Sequence, residues 1–391
     1  MSDVATLLGL LRDNARRPFG EALSLPPRCY ASDAFHRLEV ERIFHKEWIC
    51  VGRADDIPGP GDYVTTDIAG SPIVTMRMQS GEIGSHSNVC LHRGMRLLNG
   101  RGTVRSRIIC PYHAWNYDIG GQLVLAKHME RTPDFDIKAQ HLPVVRTELW
   151  EGWIYVTLDP SIASVSRHLR ELHGIVGRYG AGRYVKIYHD EFEWQTNWKC
   201  LMENFMEDYH LPYVHRKTIS GYSPTSEVEV FEGRDAFSYH LNRKTADAPR
   251  GLAHPDNQDL DGDWRRTTVL YAALPTHLVN LSPDHLWYLA LQPKGTDRVA
   301  VRFGLSYAPE VLAEVNDRDA FAAKWKQFFD AVNAEDKAVV EGVRAGAESV
   351  LARPGRLCHL ERFAYDFGRY LHRMLSDGAD APSPPPSPAA R

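Results

Sequence analysis

Two cysteine–histidine pairs, Cys90-Leu91-His92 and Cys110-Pro111-Tyr112-His113, lie 20 residues apart in this 391-residue chain. Two thiolates and two imidazoles in two tight segments make a complete ligand set for a [2Fe–2S] cluster of mixed ligation. In such a cluster two Cys hold one iron and two His hold the other, and the neutral imidazoles raise the reduction potential well above that of an all-Cys cluster. Each segment supplies one ligand of each kind, so two loops can clamp both irons. A zinc site of two Cys and two His has the same ligand count. Its usual order, however, places both Cys in one turn and both His in another. Gly94 follows the first pair, and Pro111 stiffens the second loop.

A second constellation lies in Asn197 to His215, NWKCLMENFMEDYHLPYVH. On a helix, Glu207 and His210 share a face. Pro212 should bend or end that helix and turn His215 back toward His210. Two converging imidazoles suit the two-histidine, one-carboxylate site of non-haem Fe(II) oxygenases, which leaves positions open for O₂ and substrate. Taken alone, the pair reads more simply as ordinary histidines near a helix end. Beside a cluster that carries electrons, the iron reading takes precedence.

Around both stretches the chain resembles the α subunits of Rieske non-haem iron oxygenases. The fingerprint stands as Cys90-Leu91-His92-Arg93-Gly94 and Cys110-Pro111-Tyr112-His113-Ala114-Trp115. Ala114 is a departure, since the family usually has Gly there. The resemblance covers roughly residues 40 to 350. It implies that Cys90, His92, Cys110 and His113 bind the cluster, and that His210 and His215 bind the mononuclear iron. Glu207 falls on a bridging carboxylate in the electron path, and Asn204 on a polar residue near the iron. The third iron ligand is an Asp in an "ED" context before an apolar pair, which points to Asp336. Glu335 and Asp330 remain rivals, and a solvated carboxylate beside Lys337 is the plain alternative.

The resemblance further implies a terminal oxygenase, mono- or dioxygenase, with O₂ as co-substrate. Electrons come from a ferredoxin or flavin reductase and ultimately from NAD(P)H. A cyclic α₃ homotrimer is implied, in which the cluster of one subunit faces the iron of its neighbour. Glu207 then accepts hydrogen bonds from His92 or His113 across the interface and from His210 on its own side. The expected reaction is hydroxylation of a small organic substrate, foremost an aromatic compound in hydrocarbon catabolism. The alternative is oxidative N-demethylation of a quaternary ammonium compound of betaine or carnitine type. A cation of that kind wants an aromatic cage. Trp194, Trp198, Tyr209, Tyr213, Trp287 and Tyr288 are candidates, although rings at those spacings fill a core as readily. A Rieske protein that only carries electrons has no use for His210 and His215.

These groups need elements to hold them. The expected class is α+β: a small all-β Rieske [2Fe–2S] domain and a larger catalytic domain with an antiparallel sheet and helices, helix-grip-like. Residues 1–44 read as a helical segment packing on the catalytic domain through Leu7, Leu8, Leu10 and Leu11. Residues 45–157 read as the Rieske domain, with strands at Trp48–Gly52, Tyr63–Ile68, Ile73–Met76 and Arg107–Ile109. Residues 158–374 read as the iron domain. It has helices at Ile162–Gly177 and Phe321–Ala347, and strands at Leu286–Leu291 and Val299–Phe303. Asp247 to Arg265 is polar and turn-rich and is expected to form a mobile loop over the active-site mouth. Residues 375–391 are rich in Pro, Ser and Ala and are expected to be disordered. Arg93, Arg96, Arg101, Arg105 and Arg107 surround the cluster sequence and form either a rim that steers an acidic electron carrier or solvated loop residues.

Composition narrows the partners. The chain is 43% hydrophobic and 25% charged with a net charge of −4, which gives no electrostatic case for nucleic acid. No apolar run reaches membrane-spanning length. The N-terminal stretch lacks the order of a signal peptide. Of the six Cys, the four outside the cluster pairs, Cys29, Cys50, Cys200 and Cys358, show no disulfide spacing, which fits a reducing cytoplasm.

Overall fold

The computed structural model describes residues 3–219 and 228–376. Residues 377–391 of the expected disordered tail lie outside the described residues. Contacts divide the chain into two compact units, Phe44–Arg167 and a second made of Met1–Ile43 with His168–Arg391.

The first unit is all β. Its larger sheet contains β1 (Ile49–Arg53), β2 (Asp62–Ile68), β3 (Ser71–Arg77), β4 (Ile83–Ser87), β5 (Arg101–Thr103), β9 (Val144–Trp150) and β10 (Trp153–Thr157), in the order β1-β10-β9-β4-β3-β2-β5. A small sheet pairs β6 (Ile108–Ile109), β7 (Asn116–Tyr117) and β8 (Leu123–Leu125). A buried cluster including Met76, Leu97, Val104, Trp115, Tyr117, Leu123 and Leu142 encloses Cys90 and Cys110. The unit runs ten residues past the expected exit at 157. The extra segment is tied down: Trp48 Nε1 donates to Ala163 O (2.8 Å), and Glu148 accepts from Val165 N (2.8 Å). The helix expected over Ile162–Gly177 is accordingly shorter and broken, at Val165–His168 and Arg170–Val176.

The second unit is built on one antiparallel sheet. It comprises β11 (Val185–Trp194), β12 (Val228–Val230), β13 (Phe237–Arg243), β14 (Thr267–Ala273), β15 (His277–Leu281), β16 (His285–Pro293) and β17 (Val299–Tyr307). The order is β11-β17-β16-β15-β14-β13-β12. The long helix Arg318–Gly346, capped by Asp317 at Ala320 N, packs on this sheet through Phe329, whose ring lies 5.3 Å from Trp287 and 5.2 Å from Phe303. The N-terminal helix Asp3–Ala15 buries Leu7 and Leu11 and packs against the helix Arg362–Leu375. Among the described residues no helix is long and apolar enough to cross a membrane. The whole is the α+β arrangement expected of the sequence.

Candidate metal centres

The two cluster loops are built alike. In the first, Cys90 N donates to Met95 O (2.8 Å) and Gly94 N to Cys90 O (3.1 Å); in the second, Cys110 N donates to Trp115 O (2.8 Å) and Ala114 N to Cys110 O (3.0 Å). Gly94 and Ala114 occupy the same left-handed position, at φ 72° and 53°. Glycine takes that conformation without strain, whereas a methyl-bearing residue costs about 1–2 kcal/mol. The departure at Ala114 is thus a strained turn that the rest of the loop maintains.

These loops bury both cysteines and leave both histidines exposed. His92 Nδ1 and His113 Nδ1 face each other at 3.1 Å, and His92 stacks on Trp115 with ring centroids 4.8 Å apart. Tyr117 Oη accepts from Leu91 N and sits 3.2 Å from Cys90 Sγ. Burial raises the pKa of Cys90, and the neighbouring Cys110 thiol adds to the rise. Two buried thiols and two imidazoles turned toward each other fit a shared iron cluster. Of the five arginines nearby, Arg93, Arg105 and Arg107 are exposed, while Arg96 pairs with Asp67 (3.1 Å) and Arg101 with Asp56 (3.5 Å).

In the second unit the iron-site histidines follow the helix Trp198–Phe205. Asn197 caps it by accepting from Lys199 N (3.1 Å) while donating to Tyr30 O and Thr296 O. Lys199 and Glu39 form a fully buried ion pair at 2.5 Å. Removing one partner of such a pair typically costs about 3–5 kcal/mol, so the helix is firmly seated. It stops at Phe205, and the helical face expected to join Glu207 and His210 does not form. Met206 turns out of helical geometry at ψ 11°, and the Glu207 carboxylate captures the N–H groups of Tyr209 and His210 (3.1 Å). Those donors would otherwise serve carbonyls of a continuing helix. Pro212 does not end a helix either. It lies in the first turn of the short helix Leu211–Val214, where its missing N–H has no partner to lose. The outcome still brings the two rings together, with centroids 5.1 Å apart.

The third carboxylate comes from the long helix. Thr196 Oγ1 donates to Val340 O (2.7 Å) and Gln195 N to Glu341 Oε1 (2.8 Å), which anchors that helix beside the histidine segment. One atom each from His210, His215 and Asp336 then lies within 4.8 Å of the others. Asp336 Oδ1 is 3.0 Å from His215 Nε2 and 3.6 Å from His210 Nε2, is buried, and makes no hydrogen bond. An orphaned buried oxygen between two imidazole nitrogens fits a shared cation. The remaining nitrogens are held in place. Glu207 Oε1 meets His210 Nδ1 at 2.6 Å, and Glu335 Oε2 meets His215 Nδ1 at 2.8 Å while accepting from Thr218 Oγ1 at 2.6 Å. A carboxylate on Nδ1 leaves Nε2 free to coordinate. Burial alone would depress the His215 pKa, yet Asp336 and Glu335 outweigh it and raise it. The site therefore favours positive charge. Asp330 is elsewhere, paired with Lys326 at 2.9 Å on the surface.

Asn204, Glu207, His210, His215 and Asp336 line one cavity of about 570 Å³, part of it open to solvent. Its floor is a row across four strands: His240 on β13 pairs with Leu270 on β14, Leu270 with Asn280 on β15, and Asn280 with Trp287 on β16. Of the six cage candidates only Trp287 lines it. Trp194, Trp198 and Tyr288 are buried in the core, and Tyr209 and Tyr213 face outward. A second chamber shares Ile219, Thr268, Asn280 and Trp287 with the first and adds Trp325, Phe328 and Phe329 from the long helix and Ala248–Gly251 from the polar loop. The three rings were not apparent as site residues. Their spacing to Asp336 on one helix was the available signal.

The catalytic-domain model of the ring-hydroxylating alpha subunits matches residues 181–377, and the Rieske [2Fe-2S] domain model matches residues 47–138. The glycine betaine monooxygenase oxygenase subunit of Pseudomonas aeruginosa is 30% identical over 91% of this chain and 90% of its own. The carnitine monooxygenase oxygenase subunit of Acinetobacter baumannii is 30% identical over 84% and 86%. Among solved structures, the quaternary ammonium Rieske monooxygenase CntA superposes with a TM-score of 0.78 at 22% identity, covering 92% of this chain and 96% of its own. Naphthalene 1,2-dioxygenase from Rhodococcus sp. gives 0.77 at 18% identity, covering 96% and 98%.

Proposed function

This chain belongs to the Rieske oxygenases with a ring-hydroxylating alpha-subunit catalytic domain, and on that premise we propose that it oxidatively demethylates a small quaternary ammonium compound. As a member of that family it is a non-haem iron oxygenase that uses a [2Fe–2S] cluster, a mononuclear iron and O₂. The observation that carries the finer reading is the pair of relatives at 30% identity, whose names specify glycine betaine and carnitine. Aromatic hydroxylation, foremost in the sequence reading, gives way to it. The likeness to naphthalene dioxygenase, at 18% identity, is one of fold alone.

Cys90, His92, Cys110 and His113 would hold the cluster, and His210, His215 and Asp336 the iron. The iron, when bound, supplies O₂ activation that no side chain can provide. The protein's own residues do the rest. Glu207 and Glu335 fix the tautomer and orientation of the two ligand imidazoles. Trp287 and Phe205, with ring centroids 5.0 Å apart, give the cavity aromatic faces against which an ammonium methyl group can rest. Leu270 and Ile219 help keep water from the reacting carbon. One oxygen atom enters a methyl C–H bond. The other leaves as water with two electrons and two protons. The resulting carbinol then breaks its C–N bond, the electron pair stays on nitrogen, and formaldehyde and a proton depart. Electrons arrive from a reductase or ferredoxin, for which exposed Arg93, Arg105 and Arg107 offer a positive surface. A homotrimer places Glu207 of one subunit at the cluster histidines of the next.

A single turnover tests this. The holoenzyme is reduced chemically without air and mixed with O₂ and one compound at a time, from a panel of trimethylammonium compounds and aromatic acids. Formaldehyde from a trimethylammonium compound is the expected product. Trimethylamine in place of formaldehyde would keep the substrate class and move the hydroxylated carbon to the chain. A hydroxylated ring and no amine-derived product would overturn the proposal.

A further inference from the structure

The cavity that holds the proposed iron ligands contains one carboxylate that the metal site leaves unused. Its described lining includes three acids, Glu207, Asp208 and Asp336, and no Lys or Arg. Asp336 Oδ1 lies between the two imidazoles. Glu207 uses one oxygen on His210 Nδ1 and the other on two backbone N–H groups. Asp208 has no such task. It is buried, with a relative exposure of 6%, and its Oδ2 accepts no hydrogen bond among the described residues. His240 Nε2 stands 3.3 Å from that oxygen, but out of line for a hydrogen bond. A neutral imidazole there does not cancel the charge of the carboxylate. A buried anion without a cation and without donors is unfavourable, so Asp208 points to a ligand that brings both.

A second acceptor lines the same cavity. Asn242 follows His240 by two residues on β13 and so shares its face of the strand. At the usual strand rise their α-carbons are about 7 Å apart. Asn242 is buried, with a relative exposure of 7%, and its Oδ1 makes no hydrogen bond among the described residues. Its cross-strand partner Thr268 does not serve it, since Thr268 Oγ1 is paired with Ser282 Oγ at 2.8 Å. The described aromatic carbon rings of the cavity are only Phe205 and Trp287. Two rings do not enclose a trimethylammonium head on all sides. Two buried oxygens without donors face the same space, and they ask for hydrogen on the ligand.

A quaternary ammonium matches half of this wall. It offsets the charge of Asp208 but has no N–H, so an acceptor that it covers loses water and gains no bond. A protonated tertiary amine brings the same charge and one N–H. We propose that the enzyme also demethylates dimethylammonium compounds, including the product of its own first round, with Asp208 accepting the substrate N–H. The inference rests on the demethylation reading and adds a second activity to it. In this round one oxygen atom of O₂ enters a methyl C–H bond, and the other leaves as water with two electrons from the reductase and two protons. The carbinol then breaks its C–N bond, and the electron pair stays on nitrogen. Formaldehyde and the hydroxyl proton depart and a monomethylamine remains. Asp208 is a specificity-determining residue: its charge-assisted bond to N–H is worth about 10- to 100-fold in affinity.

The experiment compares two pairs of probes, choline with dimethylaminoethanol and glycine betaine with N,N-dimethylglycine. Each pair differs by one methyl group on nitrogen, and both tertiary amines carry their proton at neutral pH. Binding to the anaerobic holoenzyme is followed by calorimetry, and formaldehyde is measured after a single turnover of the chemically reduced enzyme with O₂. In the accepted pair the dimethyl compound should bind about 10-fold more tightly than the trimethyl one and should also yield formaldehyde. In Asp208→Leu that ratio should collapse toward one or below, with the nitric oxide signal of the mononuclear iron retained. The loss should appear in Kd and KM more than in single-turnover rate. The comparison within each pair needs no variant, so a misfolded Asp208→Leu would not leave the idea unexamined. Formaldehyde from a trimethyl compound, with its dimethyl counterpart binding no more tightly and yielding none, would overturn the second activity and leave demethylation standing. Formaldehyde from none of the four would overturn the demethylation reading and the second activity with it.

Discussion

Replacing Glu207 by Gln changes one atom and should disable the iron site in a calculable way. Glu207 uses both oxygens: Oε1 meets His210 Nδ1 at 2.6 Å, while Oε2 accepts from the backbone N–H groups of Tyr209 and His210. A glutamine can satisfy only one side. If its oxygen faces the backbone donors, its NH₂ confronts His210 Nδ1. The imidazole must then carry its proton on Nε2, the nitrogen that has to bind iron. If the oxygen faces Nδ1–H, the NH₂ meets two N–H groups and one turn of backbone loses its acceptor. Either arrangement forfeits a charge-assisted hydrogen bond of about 1.5–3 kcal/mol. Changes to such supporting carboxylates lower metal affinity by about 10- to 100-fold. Apo-protein with an intact cluster should be titrated with Fe(II) under argon, with mononuclear iron followed by the electron paramagnetic resonance of its nitric oxide adduct. The expected result is weaker iron binding by that factor with unchanged cluster spectra. With iron in excess both metals are present, yet substrate-coupled turnover should fall by at least 10-fold, since the proposed bridging charge is gone. Parent-like iron affinity together with parent-like coupled turnover would refute the reasoning.

Three further substitutions test other residues. Asp336→Asn should abolish retention of mononuclear iron after a chelator wash, whereas Glu335→Gln should weaken it by about 10- to 100-fold, because Glu335 acts only through His215 Nδ1. Greater loss from the Glu335 variant would exchange the two roles. His86 in β4 is buried beside His141, and burial followed by that neighbour lowers its pKa to about 4. The folded state then binds fewer protons than the unfolded state between pH 4 and the ordinary histidine value of about 6.5, so stability rises with pH across that window. The contribution is fully present above about pH 6.5 and fades toward pH 4, by about 3 kcal/mol at most. His86→Leu should flatten that part of the profile in thermal unfolding. An unchanged acid slope would mean that His86 is not the group responsible.

What the sequence made legible divides along the length scale of each interaction. The proposed cluster ligation depends on four residues in two short loops, and spacing exposes it directly. His210 and His215 are equally local, and their convergence was foreseeable. The route to it was not. Glu207 captures two backbone donors and breaks the helix, and Pro212 starts the next one. Helix propensity cannot show a side chain outcompeting the i−4 carbonyls. The cage candidates divide for a related reason. Strand residues alternate between faces, so Trp287 enters the cavity and its neighbour Tyr288 packs into the core, 6.1 Å from the ring of His277. Which parity faces the cavity is decided by cross-strand register, and one sequence does not reveal that.

The long helix joins the parts that looked unrelated. Trp325, Phe329, Val332 and Asp336 are separated by four, three and four residues, and at about 100° per residue these steps return to nearly the same face. Read from composition, that face is a core stripe ending in an acid. Set against β16 and the histidine segment, it is one wall that carries Asp336, the proposed third iron ligand, and the aromatic bed for Arg250 at Trp325. Arg250 itself comes from the polar loop, which therefore borders the second chamber. A single rigid element thus brings Asp336 beside the two histidines and lines the adjoining chamber with Trp325, Phe328 and Phe329. Variation at the Trp325 end should alter the shape of the adjoining chamber, while variation at Asp336 should remove iron retention altogether.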